Sequence, residues 1–532
     1  MIKHALMLAC AGASLWGQGV TFDRILNADK EPQNWLTYSG NTKGQRHSLL
    51  TQITPANAKN LELKWVWQAK SLEKYETTGL AVDGVLYTVE APDTAVALDA
   101  TTGRTFWTFP YTPAADARPC CGRVNRGLAI LGDTLFMGTI DAHLIAIDAA
   151  TGKPIWNATV ADSKDRYAIT HAPLVVKDKV IVGTAGGDGP TRGQIVAYDA
   201  KTGKQAWRFY TIPAPGEPGS ETWPPGDRWK TGGGAIWNAG AYDPQTNLTF
   251  WGIGNPSETH APDKRVGDNL YTDSVVALDA DTGKLKWYYQ FTPHDDMDWD
   301  STQVPVLADI PWQGSPRKVM LWANRNGVMY VIDRTTGQFL SGKPFVEVNW
   351  LSGFDEKGRP MRVPGKVATP EGSLIKPTVL GATNWYPPSF SPSTGLFYIP
   401  GWENAGATNY LGKMSKDTGI TPMPDVKVLP NFTTDDDGYG VVRAFDPKTG
   451  DKKWEYKISD TTWAGVLTTA SDLLFSGGRD GNFFALNART GELLWRMPLG
   501  GQINSGPMSY SVNGKQYITV AAGTALFAFG LR

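Results

Sequence analysis

The 532-residue chain is poor in cysteine, in net charge and in long apolar runs, and each shortage removes a class of function. Lys and Arg number 51 against 52 for Asp and Glu, so no basic field is available to hold nucleic acid or an anionic membrane surface. Beyond the first residues no stretch of 18 consecutive apolar residues occurs, and the expectation is a chain with no helical membrane span. Three cysteines are too few for a disulfide scaffold. No Cys-x-x-Cys-His run occurs, so the chain is expected to attach no c-type haem and to pass on any electrons it collects to a separate carrier.

The chain starts with Lys3 and His4 followed by the apolar run Ala5 to Leu15, the pattern of an export signal, with Ala11-Gly12-Ala13 as a small-residue cleavage site. Residues 1–19 are therefore expected to be a signal peptide with an imprecise cut, and residues 20–532 one large unit outside the cytoplasm; a buried N-terminal strand is the alternative. Cys10 lies in a poor lipobox, so lipidation is discounted. Removing the leader leaves Cys120 and Cys121, and in an oxidising compartment two adjacent thiols invite a bond. Such a bond closes a minimal loop and removes little unfolded-state entropy, which favours a local functional role over a stabilising one.

Turn formers and large aromatics are plentiful: 58 Gly, 36 Pro and 21 Trp. One phrase recurs: an apolar strand, Asp or Asn, then Thr-Gly, and a Trp a few residues on. It runs from Asp99 to Trp107, Asp148 to Trp156, Asp199 to Trp207, Asp279 to Trp287, Asp446 to Trp454 and Asn487 to Trp495, and once, from Asp333 to Gly337, without the Trp. Degenerate versions, Asp243 to Trp251 and Phe390 to Gly395, fill the wider gaps. In each copy the acidic or amide side chain bonds the backbone ahead, and the Gly supplies the positive φ of a hairpin. The Trp is then free to wedge between neighbouring sheets. Spacings of this kind suit four-stranded blades, and the fold expected is an all-β, eight-bladed propeller. Two regions break the period, 209–235 and 400–440. Within the second, Asp435-Asp436-Asp437-Gly438 reads as a solvated turn rather than an ion-binding loop.

A propeller alone predicts no chemistry. Four clusters lie outside the repeat: Cys120-Cys121-Gly-Arg123-Val-Asn125-Arg126-Gly127; the Gly-rich run Gly183 to Gly193, holding Asp188 and Arg192; Trp251-Gly-Ile-Gly254-Asn255-Pro256; and Phe291 to Asp300, holding His294, Asp295, Asp296, Asp298 and Asp300. On these the chain, from about Asn34 to its end, resembles the alcohol dehydrogenases that depend on pyrroloquinoline quinone (PQQ), the group that includes methanol dehydrogenase. Adjacent cysteines followed by x-x-Val-Asn-Arg-Gly are the most specific part of the match.

The resemblance implies that Cys120 and Cys121 form a vicinal disulfide against one face of the quinone and that Trp237 forms the other. PQQ is a flat tricarboxylate with an ortho-quinone, so its site needs planar walls, cations and polar groups. Glu76, Arg126, Thr170, Arg325, Asn384 and Trp463 match family positions that touch it. The resemblance also implies a metal ion on hard oxygen donors, from Asp188, Asn255, Asp298 and Asp300. Asp188 stands where the family usually has Glu and reaches one methylene less. Asp300 occupies the position that carries an extra carboxylate in lanthanide-dependent relatives, which favours a lanthanide over calcium. Asp295 and Asp296 are read as shaping their loop, and His294 as a hydrogen-bonded loop residue.

The activity implied is periplasmic oxidation of a small primary alcohol to an aldehyde by hydride transfer to PQQ. Asp298 removes the hydroxyl proton, the metal polarises the quinone carbonyl, and a soluble cytochrome c takes the electrons. Two other readings are weaker. A non-enzymatic propeller scaffold has no use for the cysteine pair, Asn255 and the Asp298/Asp300 pair together. A PQQ-dependent sugar dehydrogenase fits poorly with the cysteines and the lack of an anchor. The alcohol is not legible in the sequence, and a homodimer stays open.

Overall fold

The computed structural model describes residues 19–403, 406–409 and 438–532. Residues 1–18, which hold nearly all of the expected leader, and Asp435 to Asp437 lie outside the described residues. Among those described, one α-helix of 5 residues, Phe22–Leu26, is outweighed by strand throughout.

Eight sheets follow one another around an axis, seven of four antiparallel strands and one of five, in which the short His47–Ser48 adds in parallel to Leu467–Thr469. The first begins with Leu80–Val82, Val85–Glu90, Thr94–Asp99 and Thr105–Pro110. The innermost strands of this blade and of the third, Leu80–Val82 and Leu174–Val176, are wholly buried, whereas outer strands such as Thr105–Pro110 and Leu493–Pro498 alternate with solvent. Innermost strands of several neighbouring blades lie against one another, and the hydrophobic core fills the spaces between adjacent sheets.

The recurrent phrase is the hairpin between the third and fourth strands. Asp99 accepts from the amide and hydroxyl of Thr101 at 2.8 and 2.6 Å, and Asp148 and Asp199 do the same for Thr151 and Thr202. In four copies the Trp that follows lies on the next blade's turn and its indole donates to a backbone carbonyl, Trp107 to Ala149, Trp156 to Ala200, Trp207 to Ala280 and Trp454 to Ala488, at 2.9–3.1 Å. Trp65 on the outer strand of the last blade donates likewise to Ala100 at 3.2 Å, while Trp287 covers Gly337 with no partner for its indole N–H. The ring covers the turn glycine so closely that a Cβ on Gly152 would sit 2.6 Å from Trp107. Blade five lacks the Trp, and Lys343 covers Gly450 in its place.

The count of eight holds, but not through the two degenerate phrases. Asp243 to Leu248 and Ser391 to Leu396 join first and second strands inside blades four and six. Trp251 accordingly lies on no turn glycine of a neighbouring blade; it is fully buried in the second strand of its own blade and packs against the third blade there, edge-on to His171. The eighth blade carries no phrase because its outer strand comes from the other end of the chain. Leu61–Gln68 pairs antiparallel with Ala525–Leu531, beside Lys515–Ala522 and Met508–Val512, and so closes the ring. The segment preceding it adds a second closure. Thr42, Lys43, Gln45 and Arg46 accept backbone bonds from Tyr242, Leu307, Phe390 and Thr468, in four different blades, while the buried Arg46 reaches the carbonyls of Tyr38 and Pro507.

Strands alternate in direction, so loops joining second to third strands and loops joining one blade to the next open on one face, with all Asp-x-x-Thr-Gly hairpins on the other. Every candidate site residue falls in these two loop classes.

Gly152 has φ +72° beneath Trp107, while Gly395 has φ +69° with nothing within 4 Å of its would-be Cβ. Gly152→Ala is expected to lower the thermal midpoint by the equivalent of about 1–3 kcal/mol, and Gly395→Ala by about 1 kcal/mol or less. Equal shifts in thermal unfolding would show that the indole contact is not what the joint depends on.

Candidate active site

The site is assembled on the loop face. Glu76 and Arg126 form a buried ion pair at 2.8 Å. Arg126 also donates to Thr170 Oγ1 and to the Trp237 carbonyl, both at 3.2 Å. Its guanidinium stacks on Trp237 and, closer, on Trp385, at 5.4 and 4.8 Å from the ring centroids. Cys120 and Cys121 are disulfide-bonded, with Cys121 at the exposed rim. The Asp188 carboxylate lies within 4.8 Å of the two sulfurs. Disulfide sulfurs carry no thiolate, so this grouping is not a cation site; it places Asp188 against the disulfide wall.

Oxygen donors gather on the other side of Asp188. Its Oδ1 is 3.4 Å from the Asn255 side-chain amide, which also meets Thr259 Oγ1 at 2.6 Å. The Asn255 backbone N–H donates to Asp300 Oδ1 at 2.8 Å, and Asp300 Oδ2 accepts from Arg325 at 2.5 Å. Asp298 faces the same guanidinium at 3.7 Å. Glycine is required at 254 because a side chain there would run into the Asp300 carboxylate. The Trp237 indole also lies beside Asp300 and lowers the proton affinity of its carboxyl, so one ring adjoins both the Arg126 end of the site and the Arg325 end.

Electrostatics follow from burial. Asp188, Asp298 and Asp300 are all pushed above the ordinary carboxylate range, first by desolvation, with Arg325 the main opposing influence on each. Asp298 is held well above it, with Asp300, Asp188 and Asp295 adding repulsion, and its Oδ1 has no hydrogen-bond partner. Three carboxylates, Asp300 buried and Asp188 and Asp298 half-buried, thus share one guanidinium and leave two formal negative charges unbalanced. Hard oxygen donors with that excess suit a multivalent hard cation, while Arg126, Trp237 and the disulfide offer the cation and flat walls that a planar polycarboxylate needs.

Asn384 and Trp463 come from two further loops. The Asn384 amide is bonded to Leu380 O and the Trp385 N–H, both at 2.9 Å, within the loop that wraps Arg325. Trp463 is covered by Lys74 and Arg479 at 4.8 and 5.0 Å. The 209–235 insertion walls a cavity of about 640 Å³ that reaches Asp188, with Trp223, Arg228, Lys230 and Glu258 on its lining. His294 is a loop residue bonded to Gly267 O at 2.7 Å.

Sequence reasoning missed Trp385, which was passed over beside Asn384, and Asp273. The latter is completely buried with no hydrogen-bond partner for either carboxyl oxygen, and only the preceding Asn-Leu-Tyr-Thr, which reads as a strand entry, hints that it points inward. Burial, reinforced by Asp295 and Asp300, holds it well above the usual range. Above about pH 4 the folded chain therefore favours the protonated carboxyl more than the unfolded chain does, which lowers stability as pH rises. Asp273→Asn in the metal-free chain is expected to be more stable at pH 7, by about 1–3 kcal/mol, with the advantage gone below about pH 4. Denaturant unfolding at the two pH values checks this; an advantage of the same size at both would show that the proton is irrelevant.

Residues 35–349 and 457–518 match the family described as "PQQ: Glucose/ethanol/alcohol dehydrogenase, beta-propeller domain". The chain is 36% identical to the quinoprotein alcohol dehydrogenase PedH of Pseudomonas putida, over 98% of this chain and 91% of that protein. It is 39% identical to a quinohemoprotein alcohol dehydrogenase of Comamonas testosteroni, over 93% of this chain and 73% of that one. Among solved structures, a europium-containing methanol dehydrogenase superposes with a TM-score of 0.86 at 32% identity, covering 96% of this chain and 100% of that chain. The eight-bladed ring, the disulfide-lined site and these matches agree: the chain belongs to the PQQ-dependent alcohol dehydrogenases, enzymes that oxidise alcohols through a bound quinone.

Proposed function

We propose that this chain oxidises small primary alcohols to aldehydes in the periplasm, using PQQ and a lanthanide ion, and passes the electrons to a soluble cytochrome c. The observation that carries this reading is the trio Asp188, Asp298 and Asp300 around Arg325, with Asn255 supplying an amide beside them. When bound, PQQ supplies a two-electron acceptor for the substrate's hydride, and the metal supplies Lewis acidity at the quinone.

The chain's own residues divide the remaining work. Glu76, Arg126 and Thr170 hold the cofactor's polar edge, Cys120–Cys121 and Trp237 exclude water from its two faces, and Asn384 and Trp463 close its outer side. Asp188, Asn255, Asp298 and Asp300 hold the metal. The nearness of Asp188 Oδ1 to the Asn255 side chain, at 3.4 Å, supports its place in this set in spite of the shorter side chain. Asp298 takes the hydroxyl proton: its unpartnered Oδ1 is a free acceptor, and its raised proton affinity suits a base. Arg325 offsets the negative charge of the trio while the site fills.

A lanthanide is favoured over calcium because the trio leaves two negative charges and the cofactor brings carboxylates of its own, so a trivalent ion balances the site more nearly than a divalent one. The europium-containing relative supports the same choice. Periplasmic location rests on the leader-like residues 1–19.

Dye-linked alcohol oxidation is the test, with the chain reconstituted with PQQ and either calcium or a light lanthanide, beside Asp300→Ala. Activity is expected with the lanthanide, with at least a tenfold drop (about that of losing a supporting ligand contact) in the variant. Activity with calcium alone, undiminished by Asp300→Ala, would overturn the metal assignment and leave the family chemistry intact.

A further inference from the structure

We infer that Asp295 is the positioning residue that aims the Asp298 carboxylate; this rests on the role given to Asp298 above. Asp298 sits at φ 65°, a left-handed conformation that a non-glycine residue adopts only where the surroundings hold it there. The holding group is the Asp295 side chain. One carboxylate oxygen accepts the Met297 N–H at 3.0 Å and the other the Trp299 N–H at 2.9 Å, so the amides on either side of Asp298 are fixed by a single buried group.

Asp295 is itself anchored. It is fully buried, and its backbone carbonyl accepts from the guanidinium of the equally buried Arg265. Its neighbour Asp296 is paired with Arg362 at 2.6 Å, and on the far side of Asp298 the Trp299 indole donates to Thr378 O at 3.0 Å. The turn from 295 to 299 is therefore tied down at both ends and spanned in the middle, and Asp298 is the residue between the ties. A second explanation is that Asp295 serves as one more negative charge for the metal. Its geometry speaks against this, because both oxygens are spent on the amides of its own turn, and the site already carries more negative charge than Arg325 offsets.

The experiment uses the full chain loaded with PQQ and europium and compares Asp295→Asn, Asp295→Ala and Asp298→Ala. Asp295→Ala is expected to lower kcat on the order of 10²-fold with KM for the alcohol unchanged, since a small misplacement of a reacting group costs that much. Asp295→Asn keeps the side-chain volume and one acceptor oxygen, and is expected to fall between Asp295→Ala and the parent; its reading does not depend on the alanine chain folding. Europium luminescence lifetimes in H2O and D2O give a readout apart from turnover: a loosened 298–300 turn is expected to admit about one more water to the ion. Parental kcat and parental hydration in both Asp295 variants, with Asp298→Ala inactive, would overturn the inference. Weaker europium binding with kcat of the loaded enzyme intact would also overturn it, in favour of the charge explanation. Full turnover in Asp298→Ala would instead remove the role of Asp298 on which the inference stands.

Discussion

Ring closure is the constraint on which everything else depends. The candidate site draws on residues from Glu76 to Trp463, and the only path that brings them together is the circle of blades. That circle is completed by Leu61–Gln68 pairing with Ala525–Leu531, two segments from opposite ends of the chain. Until this pairing forms, the inner strands have no common axis, and the loops that carry Arg126, Asp188, Asp298 and Arg325 have no fixed relation. The backbone bonds from residues 42–46 to four blades reinforce the same constraint from inside. Such non-local pairing delays the gain in contacts until most of the chain is ordered, so folding should be slow and strongly cooperative around the ring.

Within the closed ring the site is governed by one shortage of positive charge. Arg325 faces three carboxylates, one buried and two half-buried, and desolvation raises the proton affinity of all three. In that state the site is poised: protons can occupy it in the absence of a cation, and a cation of high charge can displace them. Arg126, by contrast, has its own carboxylate in Glu76 and two aromatic faces, a self-sufficient arrangement suited to a permanent anchor. The two arginines look alike in sequence and do different work because one is matched in charge and the other is outnumbered.

Much of this was legible in the sequence. The Asp-x-x-Thr-Gly phrase with its Trp is local, and local chemistry dictates both the turn and the exposed ring that must find a neighbour. The cysteine pair and the spacing of Asp298 from Asp300 are likewise contiguous signals. What escaped was whatever depended on distance along the chain. The eighth blade has no phrase of its own because its outer strand is borrowed from the other end of the chain, and the phrases at 243–251 and 390–395 use the same turn residues for a different hairpin. Asp273 and Trp385 gain their meaning from what packs on them, and nothing adjacent in sequence announces it.

The commonest joint between blades asks for little: a glycine flat enough to lie under an indole and, in five of the joints, a carbonyl for the indole N–H. Neither feature is particular to one blade, so copies of the unit that carry both can dock alike. A ring built this way could grow by duplication of a single segment, each new blade fitting at once against the old, until the curvature brought the ends into register. The loop face takes no part in these joints. It was therefore free to diverge, blade by blade, into a site with no symmetry at all, on a frame that kept its repeats.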